Sequence, residues 1–241
     1  MMKKNLFLVP ALSLTILMAC NTGSGDSGAK GPDQPYGEKS GIVTYKPMEM
    51  MGVKITQTLF FDDYGKKESR ETMVLGDMMG MTMRQHTMDI RDGNISYHYE
   101  LENMQGEQDK AVKQAYKSQL PGELLELLDV AGFSDAMKRK YSYKEEGKET
   151  VAGLEGIKYS MAPDSTNPEN RIIGVIYKNI PLKIAVGKME MVADKADFKA
   201  TVPAEKFKIP EGFTVIDQQK EAMPEMSAEE PAETPEVPGN K

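Results

Sequence analysis

A mainly β protein, with an antiparallel sheet and one helical insertion, is predicted by three observations. Apolar and polar residues alternate with period two in many short runs. Turn residues separate the runs. A helical stripe replaces the alternation only in the middle of the chain. Residues 42–46 form a short first strand. In residues 53–61, Val53, Ile55, Leu59 and Phe61 alternate with Lys54, Thr56, Thr58 and Phe60. Asp62-Asp63-Tyr64-Gly65 is turn chemistry, and residues 66–75 return. Residues 81–90 and 95–101 flank Arg91-Asp92-Gly93-Asn94, the strongest hairpin signal present. With Ile90 set opposite Ile95, His86 falls on the face of Met88, Tyr97 and Tyr99, and His98 on the other.

The middle of the chain changes period. Residues 109–118 suit a helix. Residues 123–131 suit one better, because Leu124, Leu127, Leu128 and Ala131 share a stripe. Gly132 ends it, and Ser134 caps a short helix running to residue 140. Strands then resume at 149–151 and 155–161 around Ala152-Gly153, and at 171–178 and 182–186 around Asn179-Ile180-Pro181. Residues 187–202 hold one long strand or two. Phe207, Ile209 and Phe213 are apolar pegs that close the domain. A sheet of this size has to curl or be covered to protect its edges.

The ends of the chain have a different character. Lys3 and Lys4 precede a fourteen-residue apolar run, Leu6 to Ala19, too short to span a bilayer. The run closes on Leu17-Met18-Ala19-Cys20, which resembles the lipobox of bacterial lipoproteins. That resemblance implies cleavage before Cys20, diacylglycerol on its thiol and attachment to an envelope membrane. Asn21 in place of Asp implies, by resemblance to known sorting habits, the outer membrane. Residues 20–35 read as a flexible tether, 36–216 as one β domain, and 217–241 as a disordered acidic tail with six Glu and four Pro from Glu221 onward. The formal charge of −7 comes largely from that tail. A weakly acidic body lacks the basic footprint that nucleic acid requires.

Several runs resemble a family of Gram-negative envelope lipoproteins of unknown function. They are Thr58-Leu59-Phe60-Phe61-Asp62-Asp63-Tyr64-Gly65-Lys66-Lys67-Glu68, the hairpin around Ile90 to Tyr97, Gly147-Lys148-Glu149-Thr150-Val151-Ala152-Gly153, Ile180-Pro181-Leu182-Lys183, and Phe207-Lys208-Ile209-Pro210-Glu211-Gly212-Phe213. The family is similar to the lipoprotein-carrier (LolA/LolB-like) superfamily. The resemblance implies a curved, half-open antiparallel β-barrel whose concave apolar face is covered by the helical insertion and receives acyl chains. Two departures stand out. Leu154-Glu155-Gly156 occupies the stretch where such proteins often carry a cysteine, and the soluble carrier is not lipid-anchored, so a shuttling role does not transfer.

The candidate functional residues follow from these readings. Ile55, Leu59, Met81, Met83, Met88, Tyr97, Tyr99, Ile184, Val186 and Phe198 are expected to wall a hydrophobic cavity, with Leu124, Leu127 and Leu128 on a plugging helix. Arg84 and His86 are expected at its polar mouth. Nineteen methionines, clustered at Met48, Met50 and Met51 and again at Met78, Met79, Met81, Met83 and Met88, suit an adaptable apolar surface. Thioether ligation of Cu(I) is the alternative. Gly25-Asp26-Ser27-Gly28 copies a protease nucleophile signature, but a tether could not hold a base beside it. The paired carboxylates Asp62-Asp63 and Glu145-Glu146 point apart or sit in a turn. No catalytic residue, metal or cofactor is expected. Three classes remain: a non-catalytic module binding lipid or an acyl chain, a structural or interaction lipoprotein with a filled core, and, more remotely, an enzyme.

Overall fold

The computed structural model describes residues 34–50, 52–78, 80–120, 130, 132–162 and 171–218. The signal, Cys20, nearly all of the tether and tail, and the Leu124, Leu127 and Leu128 stripe lie outside the described residues. Fourteen strands form one sheet: β1 Gly41–Tyr45, β2 Met48–Met50, β3 Val53–Asp62, β4 Lys67–Met78, β5 Met81–Asp92, β6 Ile95–Gln105, β7 Gln108–Asp109, β8 Gln114–Gln119, β9 Lys144–Val151, β10 Leu154–Met161, β11 Ile172–Tyr177, β12 Ile180–Val186, β13 Met189–Asp197 and β14 Thr214–Asp217. The order across the sheet is β14-β8-β6-β5-β4-β3-β1-β13-β12-β11-β10-β9, with β2 beside β3 and β7 beside β6. The path does not close, so the architecture is the curved, open antiparallel half-barrel that the family resemblance implies. One pairing departs from that pattern: β14 runs parallel to β8.

The hairpins form where turn chemistry places them. Lys178 and Asn179 both take positive φ, at 47° and 68°, and turn β11 tightly into β12. Ile180 and Pro181 therefore belong to β12 and not to the turn. A bulge beside Val175 sets Pro181 opposite Ile176. Between β5 and β6, Asp92 pairs with Ile95 and Met88 with Tyr99, two residues away from the expected register. The faces are unaffected, because a shift of two preserves side-chain parity.

Residues 109–118 are not a helix. Ala115 is buried between β6 and β14, and the ladder on both sides of β8 outweighs the helix propensity of its residues. Helix α1, Asp135–Lys140, does form, and the Ser134 side chain accepts from the Met137 N–H at its start. Its flanking residues Val130, Phe133 and Tyr141 join the main core. They lie between β8, near one edge of the sheet, and β9 at the other, and they pack against the inner face.

Two cores result. The inner one gathers Tyr36, Val43, Tyr45, Leu59, Phe61, Tyr159, Leu182 and Ile184 with those connection residues. Gly174 on β11 lies opposite Tyr159 on β10, and the tyrosine ring lies directly over it. The outer core packs Met88, Ile90, Tyr99 and Ala115 against Ile209 and Phe213 of the C-terminal segment. The Tyr99 and Phe213 rings meet edge-on at 5.2 Å. A 3-10 turn at Ala204–Phe207 pins that segment down, since Lys206 Nζ sits 2.7 Å from Glu71 and over the Phe60 ring. Burial pushes the Glu71 carboxyl up, but hydrogen bonds from Lys206 and His86 outweigh it and hold it below its usual range. The clamp therefore holds at neutral pH and loosens as pH falls through that lowered value.

Candidate ligand-binding face

Register across β3 to β6 shows what the inner face presents. One row runs Phe61, Glu68, Arg91, Ser96; the next Leu59, Arg70, Asp89, His98; the third Gln57, Thr72, Thr87, Glu100. The first two rows are apolar on β3, and all three are polar from β4 onward. Strand β4 reads Lys-Glu-Ser-Arg-Glu-Thr and has no apolar face to offer there. The expected apolar concavity is thus amphiphilic. Its apolar half, over β1, β3 and β10 to β13, is filled by the protein's own side chains.

The polar half is partly buried and carries several internal bonds. Arg70 is only 1% exposed. Burial pushes the nearby Tyr45 hydroxyl up to about 12 against the opposing charge of Arg70, and that hydroxyl donates to the Pro181 carbonyl at 2.8 Å. Glu68 binds Arg91 at 3.0 Å and accepts from the Tyr36 hydroxyl, which ties the N-terminal segment to the sheet. Gln85 and Asn103 both donate to Glu100.

His98 bonds Asp89 at 2.7 Å. That hydrogen bond raises its basicity, burial opposes the rise, and the charges of Asp89 and Glu100 add to it. The pair therefore stabilises the fold fully below the unfolded imidazole value, and the contribution fades as pH rises through the higher folded value. The melting temperature of His98→Gln is expected to fall by about 1–3 °C relative to the parent at pH 5.5. The difference should shrink by pH 9, and a gap that widens with pH would contradict the assignment.

An opening appears where two strands part. β1 stays paired with β13 as far as Tyr45, through a register shift after Thr44, and the Lys46 N–H still reaches the Val192 carbonyl. Pro47 has no N–H to continue that ladder. Beyond it, β2 pairs only with β3, while Met189 to Met191 pair with β12. The gap is a pocket of about 600 Å3, within the range of small-molecule sites. Met48, Met50, Ile55, Met189 and Met191 line its apolar wall, Gln57 and Thr72 its polar wall, and Lys46, Glu49, Lys188 and Glu190 its rim.

The expected wall residues separate under this geometry. Ile55 lines the pocket. Leu59 and Ile184 are buried in the filled core, and Val186 packs against it. Phe198 stacks on Tyr177 at 5.7 Å and tilts against Phe61. Met83 lies on the inner face opposite Gly76, while Met81 shares its side but is 60% exposed. Met88, Tyr97 and Tyr99 belong to the outer core. Arg84 and His86 are on the outer face as well, and so flank no mouth of this pocket. Arg84 is half exposed and paired with Glu102, and His86 is bound to Glu71. Sequence reasoning missed Met189 and Met191, whose i, i+2 spacing was the available signal. Met51 and Met79 lie outside the described residues. Among those described, no group of three or more His, Cys, Asp or Glu could hold a metal, and no helix is long and apolar enough to cross a membrane.

Fold and pocket together define a class, an open β half-barrel with an amphiphilic inner face and a methionine-lined pocket beside a strand break. No family model and no curated protein matches the chain. Among solved structures it is similar to the MucA/MucB complex of Pseudomonas aeruginosa, with 14% identity and a TM-score of 0.37 over 70% of this chain and 54% of that one. It is also similar to MucB in complex with MucA(peri), with 12% identity and a TM-score of 0.35 over 69% and 53%. The chain spans about half the length of these structures.

Proposed function

We propose that this chain is a lipid-anchored envelope protein, tethered through Cys20 in the outer membrane, that binds an apolar ligand such as a lipid or acyl chain and catalyses no reaction. The observation that carries the binding reading is the pocket of about 600 Å3, with four thioethers and Ile55 along one wall. Methionine side chains are flexible and polarizable, and they conform to guests of varying shape. Burial of a chain there contributes about 25 cal/mol per Å2 before ordering costs. The structural or interaction reading stands second, and the filled inner core favours it, because most of the concavity is solid.

Native mass spectrometry of the protein purified from its own membrane tests the first reading. Wild-type protein is expected to retain an apolar guest, and Met189→Asp to lose about 90% of that occupancy, since a carboxylate in the wall is costly to desolvate. The denaturing spectrum of the same sample should carry the diacylglycerol mass on Cys20. Protein that is consistently empty, or that retains copper in place of lipid, would remove the lipid-binding reading.

A further inference from the structure

The same tripeptide, Met-Glu-Met, stands on both sides of the strand break, at Met48 to Met50 on β2 and at Met189 to Met191 on β13. Cross-strand register sets Met48 and Met50 beside Ile55 and Val53, and Met189 and Met191 beside Val186 and Ile184. All four thioethers therefore share the inner face, and all four line the pocket. Their access to solvent is graded. Met50 is 39% exposed, Met48 and Met189 are half-buried, and Met191 is 4% exposed. A thioether is apolar, but a mild oxidant converts it to a polar, chiral sulfoxide, and methionine sulfoxide reductases reverse the change.

We propose that hydrogen peroxide closes this pocket to its apolar guest by oxidising Met50, Met48 and Met189, and that reduction reopens it. The sulfur lone pair attacks one peroxide oxygen. The S–O bond forms as the O–O bond breaks, sulfur gives up two electrons, and water leaves. A sulfoxide loses its own hydration when a hydrocarbon chain covers it, and the chain offers no donor in return. A bound guest in turn shields the sulfurs. This assignment rests on the apolar-ligand reading above and adds the regulation of that same site.

Calorimetric titration of the full-length mature protein with methyl laurate, before and after hydrogen peroxide, tests it, with a peptide mass map locating the added oxygen. Oxidation is expected at Met50 first and Met191 last, and affinity is expected to fall about tenfold. Bound methyl laurate should slow oxidation of Met50, Met48 and Met189 but not of Met81, which is 60% exposed and outside the pocket. A variant carrying Met48→Leu, Met50→Leu and Met189→Leu should keep after peroxide whatever affinity it had before, whereas Met81→Leu should lose affinity as the wild type does. Sulfoxide reductases with dithiothreitol should restore binding, the dithiol closing to a disulfide as the oxygen leaves in water.

Unchanged affinity once these three are oxidised, a loss that Met81→Leu prevents, or a loss that reduction does not reverse overturns the switch and leaves the apolar pocket standing. Oxygen on Met88 or Met161, at 3% and 2% exposed, does the same, because those core sulfurs are reached only when the fold opens. Untreated protein that does not bind methyl laurate overturns the apolar-ligand reading and this assignment with it. If the triple variant does not fold, the shielding by methyl laurate and the Met81→Leu comparison decide.

Discussion

Replacing Glu68 with Ala is expected to lower folding stability by about 3–5 kcal/mol, because it leaves a buried guanidinium without its counter-ion. Glu68 is 1% exposed, and Arg91 is nearly as buried. Arg91 reaches Glu68 Oε2 through Nε at 3.1 Å, and its remaining donors find the Gly65 and Gly93 carbonyls at 2.9 and 3.4 Å. Those carbonyls cannot neutralise the charge. The substitution also removes the acceptor for the Tyr36 hydroxyl, whose ring packs edge-on against Phe61 at 4.9 Å. Glu68→Gln keeps the shape and an acceptor oxygen, so its loss should be smaller. Urea unfolding of the three proteins checks this, and a loss below 1 kcal/mol for Glu68→Ala would show that Arg91 does not depend on the pair.

Gly174→Ala is expected to cost about 3 kcal/mol, at the upper end of overpacking in a close-packed core. A Cβ at Gly174 would meet the Tyr159 ring at Cζ, Cε1 and the hydroxyl, at 2.3, 2.4 and 2.4 Å. Tyr159 is fully buried and stacks on Tyr143 at 5.8 Å, so its ring has no free direction in which to withdraw. The backbone of Gly174 needs no glycine for its own sake; the close approach of the ring is what requires it. Thermal unfolding should show Tyr159→Leu and Gly174→Ala to be less than additive, because the smaller side chain vacates the space that the methyl group needs. Full additivity would place the cost elsewhere.

The sequence made the strand alternation legible on β3, β5 and β6, and the cap at Ser134, because each is a local pattern. Side-chain parity survived an error of two in register, so the separation of His86 from His98 was also readable. The β8 strand was not, since Gln114–Gln119 is strand only by virtue of neighbours that come from β6 and β14. The pocket needed a longer-range fact: Met48 and Met191 line one pocket only because β13 lies beside β1, an arrangement no local window contains. The polar inner face was written in β4, yet a strand with charge on both sides gives no sign of which side turns inward.

A sheet that stops short of closing leaves two margins on which another polypeptide could add itself. At one margin, β9 offers Lys144, Glu145, Glu146, Lys148 and Glu149, with Gly147 at a break in its register with β10. At the other, β14 is four residues long. An incoming strand would have to run alongside five charged side chains, two of them already paired within the sheet, or settle for a template too short to hold it. The open shape therefore coexists with resistance to fibre-like stacking, even at high local density of the protein.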